Sequence, residues 1–457
     1  MRALRSSLLA RVVMVAASAA AACASDPAPT RPRVPDPAPA VPSPPPPPPL
    51  VEALTPAAGT TPAATSTPAT AADASALSAA DERADVHAAN AFTTKLYARL
   101  KRAPGNVMIS GTSVRHALAL AALGARGETA REMVATLQVP EGAAKQIAIA
   151  KAESAAWQDA RGSAELVVAD RLWSDKALTP KEDFTSAASA AFGAGVEPVD
   201  FANAPDVARR TINAWIAEKT ANKIPELLAE GMVDRRTRLL VSDAIYFKGR
   251  WSAPFTASAT KDEPFTAAPG RTAKVPTMHD TAPHAFAQVG TTKLLMMRYS
   301  SSRLSMLVAL PDAAAGLGKL EESLSADTFE SWTKALAPQR VNISLPRFAF
   351  TWGGPLDTPL QDLGMRTAFS AKADFTGIAD PNSGERLQIT HVVQKTWVSV
   401  DENGTEAAAA SGVGMSVTSA VMGPIAEFKA DRPFLFFVYD EKRGRILFAG
   451  RMTDPKT

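Results

Sequence analysis

The sequence predicts an α+β fold preceded by a segment that builds no core. Two observations carry this. Helical spacing of apolar residues crowds the first third of the folded region and strand-like runs fill the rest. The first 80 or so residues are almost entirely Ala, Pro, Ser and Thr, a composition that buries nothing. Folded sequence begins near Asp81. Val86, Ala89, Phe92, Leu96 and Leu100 recur at helical spacing, and Pro104-Gly105 ends that helix. Asn106–Ile109 reads as a short apolar strand. Ser113 is placed to cap a helix over Val114–Gly124, rich in Ala and Leu. Further helices are predicted at Thr129–Leu137 and Ala204–Asn222. Strands are predicted at Ala164–Trp173, Leu239–Phe247, Ser305–Leu310, Val341–Phe348, Leu387–Val400 and Phe434–Tyr439. No internal repeat is visible.

Of 457 residues, 46% are hydrophobic and 21% charged, ample for a large core. The net charge of +3 is spread over mixed signs with no basic block, so nucleic acid is not an expected partner. The single cysteine, Cys23, excludes an intramolecular disulfide and a Cys-rich zinc site. A basic start and a short apolar run make residues 1–22 an export signal, too short for a spanning helix. Ala20-Ala21-Ala22-Cys23 looks like a lipobox, although a Leu is commoner three residues before the cysteine. Lipidation of Cys23 would make an outer-membrane or cell-surface lipoprotein. Ordinary cleavage at an Ala-x-Ala site would leave an extracellular or periplasmic protein. Residues 23–80 then form a tether. Its six consecutive prolines, Pro44–Pro49, favour extended polyproline geometry, rising ~3.1 Å per residue.

The five histidines, His87, His116, His279, His284 and His391, form no His-Glu-x-x-His site. No Gly-x-Ser-x-Gly elbow, phosphate-binding Gly-Lys loop or dinucleotide Gly fingerprint occurs. No catalytic residue, metal or cofactor is expected.

The informative stretch is 401–423. After the strand ending Trp397-Val398-Ser399-Val400, residues from Gly404 onward are small, almost uncharged and free of proline. Exposed loops are normally polar and turn-rich. Read with period two, Thr405, Ala407, Ala409, Ser411 and Val413 share one face, and Glu406 falls on the other. This suits a strand that can be buried. Taken alone, the same residues also suit a flexible Ala/Gly linker.

Glu402-Asn403-Gly404-Thr405-Glu406-Ala407-Ala408-Ala409-Ala410 resembles the reactive-centre hinge of the serpin family. The resemblance continues through Asn106–Ser110, Leu118–Thr129, Thr211–Ile224, Asp243–Trp251, Pro254-Phe255, Lys274-Val275-Pro276, Leu345–Phe348, Leu363–Met365, Ala373–Gly377 and Arg432-Pro433-Phe434, in order. It implies one unit over 81–457 with three sheets, about nine helices and an exposed bait loop, acting as a monomer. It implies a partner as well: a serine-type protease, trapped as a covalent acyl complex when the cut loop inserts into the central sheet. Non-inhibitory serpins that bind or chaperone are the alternative, but their hinges tend to carry charges, prolines or bulky residues. Family spacing puts the cut at Thr418–Ser419, and counting back from Arg432 moves it as far as Met422-Gly423. Ser416–Met422 holds no Lys or Arg, so an elastase-, chymotrypsin- or subtilisin-like target is expected.

The resemblance also places Trp251 at the upper sheet and Ser110, Ser113, Asp243 and Gln394 in a polar cluster beneath its opening. Here the sequence departs from the family. Gly111 stands where Pro is usual, Asp243 where Asn is usual, and Gln394 where His is usual. Asp243 is expected to accept from the Ser110 and Ser113 hydroxyls and from the Gln394 amide. Because Gln394 cannot titrate, no pH step between about 6 and 7 is expected in loop self-insertion. The N-terminal reading has a direct check. Cys23→Ser should move the protein from the membrane fraction to the soluble exported fraction, and an unchanged distribution would favour the soluble alternative.

Overall fold

The computed structural model describes residues 77–161, 164–193, 196–300, 303–380, 387–405 and 424–456. The first helix, α1 (Ala79–Leu100), starts two residues before the expected boundary at Asp81. The Ser78 hydroxyl accepts from Asp81 N, and Asp81 and Glu82 meet the positive end of the helix. Strand β1 (Val107–Ile109) leads into α2 (Gly111–Gly124), nearly all of which is buried. Its cap is Ser110, not Ser113. The Ser110 side chain accepts from Ser113 N, so the helix starts three residues earlier and Ser113 lies in its first turn. Gly111 permits this: a Cβ there would lie 2.4 Å from Thr93 Oγ1 and 2.6 Å from Thr93 Cα on α1.

Next come α3 (Gly127–Leu137), α4 (Ala143–Arg161), β2 (Glu165–Asp175), α5 (Glu182–Phe192), β3 (Val196–Val199) and α6 (Pro205–Lys219). The expected extension of α6 to Asn222 fails because Ala221 and Asn222 take φ of 47° and 60°, left-handed values that end a helix. The long central strand β4 (Leu239–Arg250) follows. Then come β5 (Lys261–Ala268), β6 (Arg271–Val289), β7 (Thr292–Arg298), β8 (Leu304–Pro311), α7 (Leu317–Ser323) and α8 (Ala326–Ala335). The strand expected over Val341–Phe348 is two strands, β9 (Ala337–Pro346) and β10 (Phe348–Pro355), parted at Arg347. The chain closes with α9 (Asp357–Asp362), β11 (Ile389–Asp401), β12 (Gly404–Thr405), β13 (Ala426–Lys429), β14 (Phe434–Asp440) and β15 (Arg445–Met452). The α+β class and nine α-helices hold among the described residues.

The ladders run through two networks. A six-stranded sheet has the order β10-β11-β12-β4-β2-β3, and a nine-stranded one the order β1-β15-β14-β8-β7-β6-β9-β13, with β5 on β6. Two of the three expected sheets are joined in the second network. The 19-residue β6 pairs with β5 over its first part, β9 over its middle and β7 at its end. Between the two networks lies an aromatic core of Phe247, Phe348, Phe436 and Phe448. Below it, α1, α2 and α3 pack on the lower six-stranded sheet through Phe92, Leu118, Met133 and Val392. On the opposite face of that sheet, α6 covers Trp173, Leu240 and Val393 with Ile212 and Ile216.

Gly111→Ala should destabilise the protein by about 1–3 kcal/mol, an overpacking cost that outweighs alanine's better helix propensity. Urea unfolding reads it, and an unchanged midpoint would show that α1 and α2 separate freely.

Candidate functional site: a hinge seated in a parallel seam

Within the six-stranded sheet, β4 and β11 run parallel and pair directly from Leu239 with Ile389 to Tyr246 with Trp397. Above that they part, and β12 lies between them, antiparallel to both. Thr405 is opposite Val400 on one side and Gly249 on the other, and Gly404 is opposite Asp401 and Arg250.

The sequence supports this tight turn residue by residue. Asp401 Oδ1 accepts from Asn403 N at 2.8 Å and Gly404 N at 3.2 Å. Gly404 takes a φ of 151°, and a Cβ there would sit 2.0 Å from Gly249 O, so no other residue fits. Thr405 is fully buried, with its Oγ1 2.7 Å from Tyr299 Oη. Tyr299 stacks on Trp251 at 4.6 Å between ring centroids, and Trp251 Nε1 donates to Asp401 O at 3.0 Å. Trp251 directly follows β4 and pairs with Tyr299 in an isolated bridge. Arg347 Nε donates to Glu402 Oε1 at 2.7 Å, and Thr260 donates to the same oxygen. Burial pushes the Glu402 carboxyl up, but the bonds from Arg347 and Thr260 outweigh it and hold it below the usual range.

Lower in the seam the polar cluster assembles. Gln394 and Asp243 are register partners, and Gln394 Nε2 donates to Asp243 Oδ2 at 2.9 Å. Gln394 also brackets the residue ahead of α2, accepting from Ser110 N at 3.1 Å and donating to Ser110 O at 2.9 Å. Ser113 Oγ donates to Asp243 Oδ1 at 2.7 Å. The Ser110 hydroxyl, expected to donate to Asp243, instead accepts from Ser113 N at 3.2 Å, and among the described residues no bond from it to Asp243 is found. Gln394 cannot titrate, but the carboxyl beside it can. Burial, with the Asp170 carboxyl nearby, pushes Asp243 up to about 7 against the bonds from Ser113 and Gln394.

Glu402, Gly404 and Thr405 are therefore at the seam. Glu406, Ala407, Ala408, Ala409 and Ala410, the bond Thr418–Ser419 and Cys23 lie outside the described residues. Sequence reasoning missed the roles of Arg347, Thr260 and Tyr299. A buried Glu402 needs a cation, so Arg347, inside an already recognised segment, was findable on charge grounds. Tyr299 carries no local signal.

The central sheet is thus split at its top, where β12 lies between β4 and β11. Comparisons with known proteins agree on the family. Residues 87–455 match the family described as serpin (serine protease inhibitor). The chain is 39% identical over 359 residues to the leukocyte elastase inhibitor of Bos taurus, covering 77% of this chain and 93% of that protein. It is 36% identical over 392 residues to an uncharacterized serpin-like protein of Thermococcus kodakarensis, covering 83% and 88%. Among solved structures, Serpin48 of the insect Tenebrio molitor, described as a highly specific serpin, superposes with a TM-score of 0.73 at 30% identity, over 81% of this chain and 98% of that one. The chain belongs to the serpin family.

Since Asp243 and Gln394 touch, their substitutions should couple. Asp243→Asn and Gln394→His should each change stability in denaturant unfolding. The double variant should depart from additivity by about 0.5–3 kcal/mol. Additive effects would show two independent changes.

Proposed function

We propose that this protein inhibits serine-type proteases as a suicide substrate, without catalytic residues or a cofactor of its own. The target protease would cut the bait loop, and the cut strand would enter the seam between β4 and β11 while the acyl bond still holds. The observation that carries this reading is β12, already hydrogen-bonded to both walls of the seam. Its two ladders, continued in register without a bulge, would bring Ser411 opposite both Gln394 and Asp243. Thr405, Ala407, Ala409 and Ser411 would then face the core together, and all are small and uncharged. A charge on that face would be costly to bury. Each ladder bond gained contributes roughly 0.5–1.5 kcal/mol net, so a dozen would drive a large movement. Serpin insertion is one of the known modes of strand addition.

The bait window Ser416–Met422 offers no base to a trypsin-like pocket, and relatives of the chain are named leukocyte elastase inhibitors. An elastase-, chymotrypsin- or subtilisin-like target fits both facts. Lipid on Cys23 would present the bait at a membrane surface at the end of the Pro-rich tether.

The mature protein should form an SDS-stable complex with an elastase- or subtilisin-type protease, with mass spectrometry placing the cut between Val417 and Gly423. Thr405→Arg should abolish the complex and leave cleaved protein, since arginine cannot occupy the buried site beneath Tyr299. Cleavage of the unmodified protein by all such proteases without complex would overturn the reading.

A further inference from the structure

A chain of ionisable side chains runs through the core from α1 to the seam. Arg115 Nη2 on α2 donates to Asp85 Oδ1 on α1 at 2.6 Å. Arg445 on β15 bridges Asp85 to Glu153 on α4. His116 Nδ1 lies 3.2 Å from Glu153 Oε2, and its Nε2 lies 3.9 Å from Asp170 Oδ2 on β2. Asp170 is the register partner of Asp243. Asp170 is partly exposed, and the others are buried.

The charges of this chain do not balance. Among the described residues it holds four carboxyl groups, Asp85, Glu153, Asp170 and Asp243, against three bases, Arg115, Arg445 and His116. Neighbouring bases make their contacts elsewhere. Arg171 lies over the Trp215 ring and pairs with Glu197, reaching Asp170 only through space, and Lys395 donates to Glu226 O. Asp85 has both arginines. Burial works against the charge on Glu153, yet Arg445, His116 and Arg115 hold it down to about 2. His116 is left to serve Asp170, and Asp243 touches only the neutral Ser113 and Gln394.

We propose that Asp243 holds the odd proton of this buried chain, and that losing it loosens the β4–β11 seam, so that opening of the central sheet depends on pH. The direction follows from linkage. In the closed sheet, burial favours the neutral carboxyl, with a midpoint of about 7. When β4 and β11 part, Asp243 exchanges Gln394 for water and returns toward the ordinary carboxylate range. The closed form then binds the proton more tightly. Closure is fullest in acid, weakens as pH rises, and levels off above the closed-state midpoint. The groups facing Asp243 are Ser113 and His116 from α2, Asp170 from β2 and Gln394 from β11, so the device reaches α4 through His116 and Glu153.

This inference rests on the seam alone and is tested without a protease. Hydrogen exchange of the β4 and β11 amides in the uncleaved protein, corrected for the intrinsic pH dependence of exchange, gives the opening equilibrium. From pH 5 to pH 8 it should rise at least fivefold in the unmodified protein, while β14 and β15 keep their protection. Asp243→Asn should hold the closed level across that range. His116→Gln, which removes a cation and leaves Asp243 in place, should move the midpoint upward by at least half a pH unit; it decides the matter if Asp243→Asn does not fold. A flat profile in the unmodified protein, a slope retained in Asp243→Asn, an unmoved midpoint in His116→Gln, or an equal loss of protection in β14 and β15 would each overturn the proposal.

Discussion

The parallel pairing of β4 with β11 is the constraint on which the rest of this structure depends. Parallel ladders have slanted bonds and are slightly less stable per residue than antiparallel ones. Here a parallel pair lies in the middle of a sheet whose adjoining pairings, β10 with β11 and β2 with β4, are antiparallel. A strand entering between two parallel neighbours can run antiparallel to both, replacing one slanted ladder with two straight ones. At the top of the sheet β12 has this arrangement over two residues. Everything above the seam holds that start in register. Asp401 shapes the turn, Gly404 allows the close approach, Arg347 neutralises Glu402, and the stacked Trp251 and Tyr299 close over Thr405.

Below the start, polar groups bridge the middle of the seam, beside apolar register partners such as Val241 and Val392. Gln394 uses both ends of its amide, and Asp243 uses both oxygens. Every bond is satisfied, so the cluster tolerates burial, yet all of it depends on β4, β11 and the start of α2 staying together. The apolar layers on either side, α6 on one face and the aromatic core on the other, keep the remainder fixed.

The departures from the family make sense as one local solution. Gly111 lets α1 and α2 approach closely, α2 is capped by Ser110, and Ser113 in its first turn meets Asp243. The carboxyl group at 243 is hydrogen-bonded at both oxygens, to Ser113 and to Gln394. The acid at this position brings the ion chain to four carboxyl groups against three bases, which is why its proton matters.

The sequence by itself determined the α+β class, the main helices and strands of the sheet, and the hinge chemistry at Glu402, Gly404 and Thr405. These are local properties: apolar period, small side chains, and a glycine where the backbone is crowded. It missed α4, whose alanine-rich sequence shows little contrast between faces, and α5, whose buried face of Phe184, Ala188 and Ala191 is mostly alanine, and it missed the long β6, interrupted by Pro276 and Pro283. It named the partners of Asp243 almost correctly, but not its ionisation. Only the tertiary structure decided that, because a carboxyl group's charge depends on what surrounds it. Asp170, His116 and Gln394 are distant in sequence and meet Asp243 only when β2, α2 and β11 close around β4.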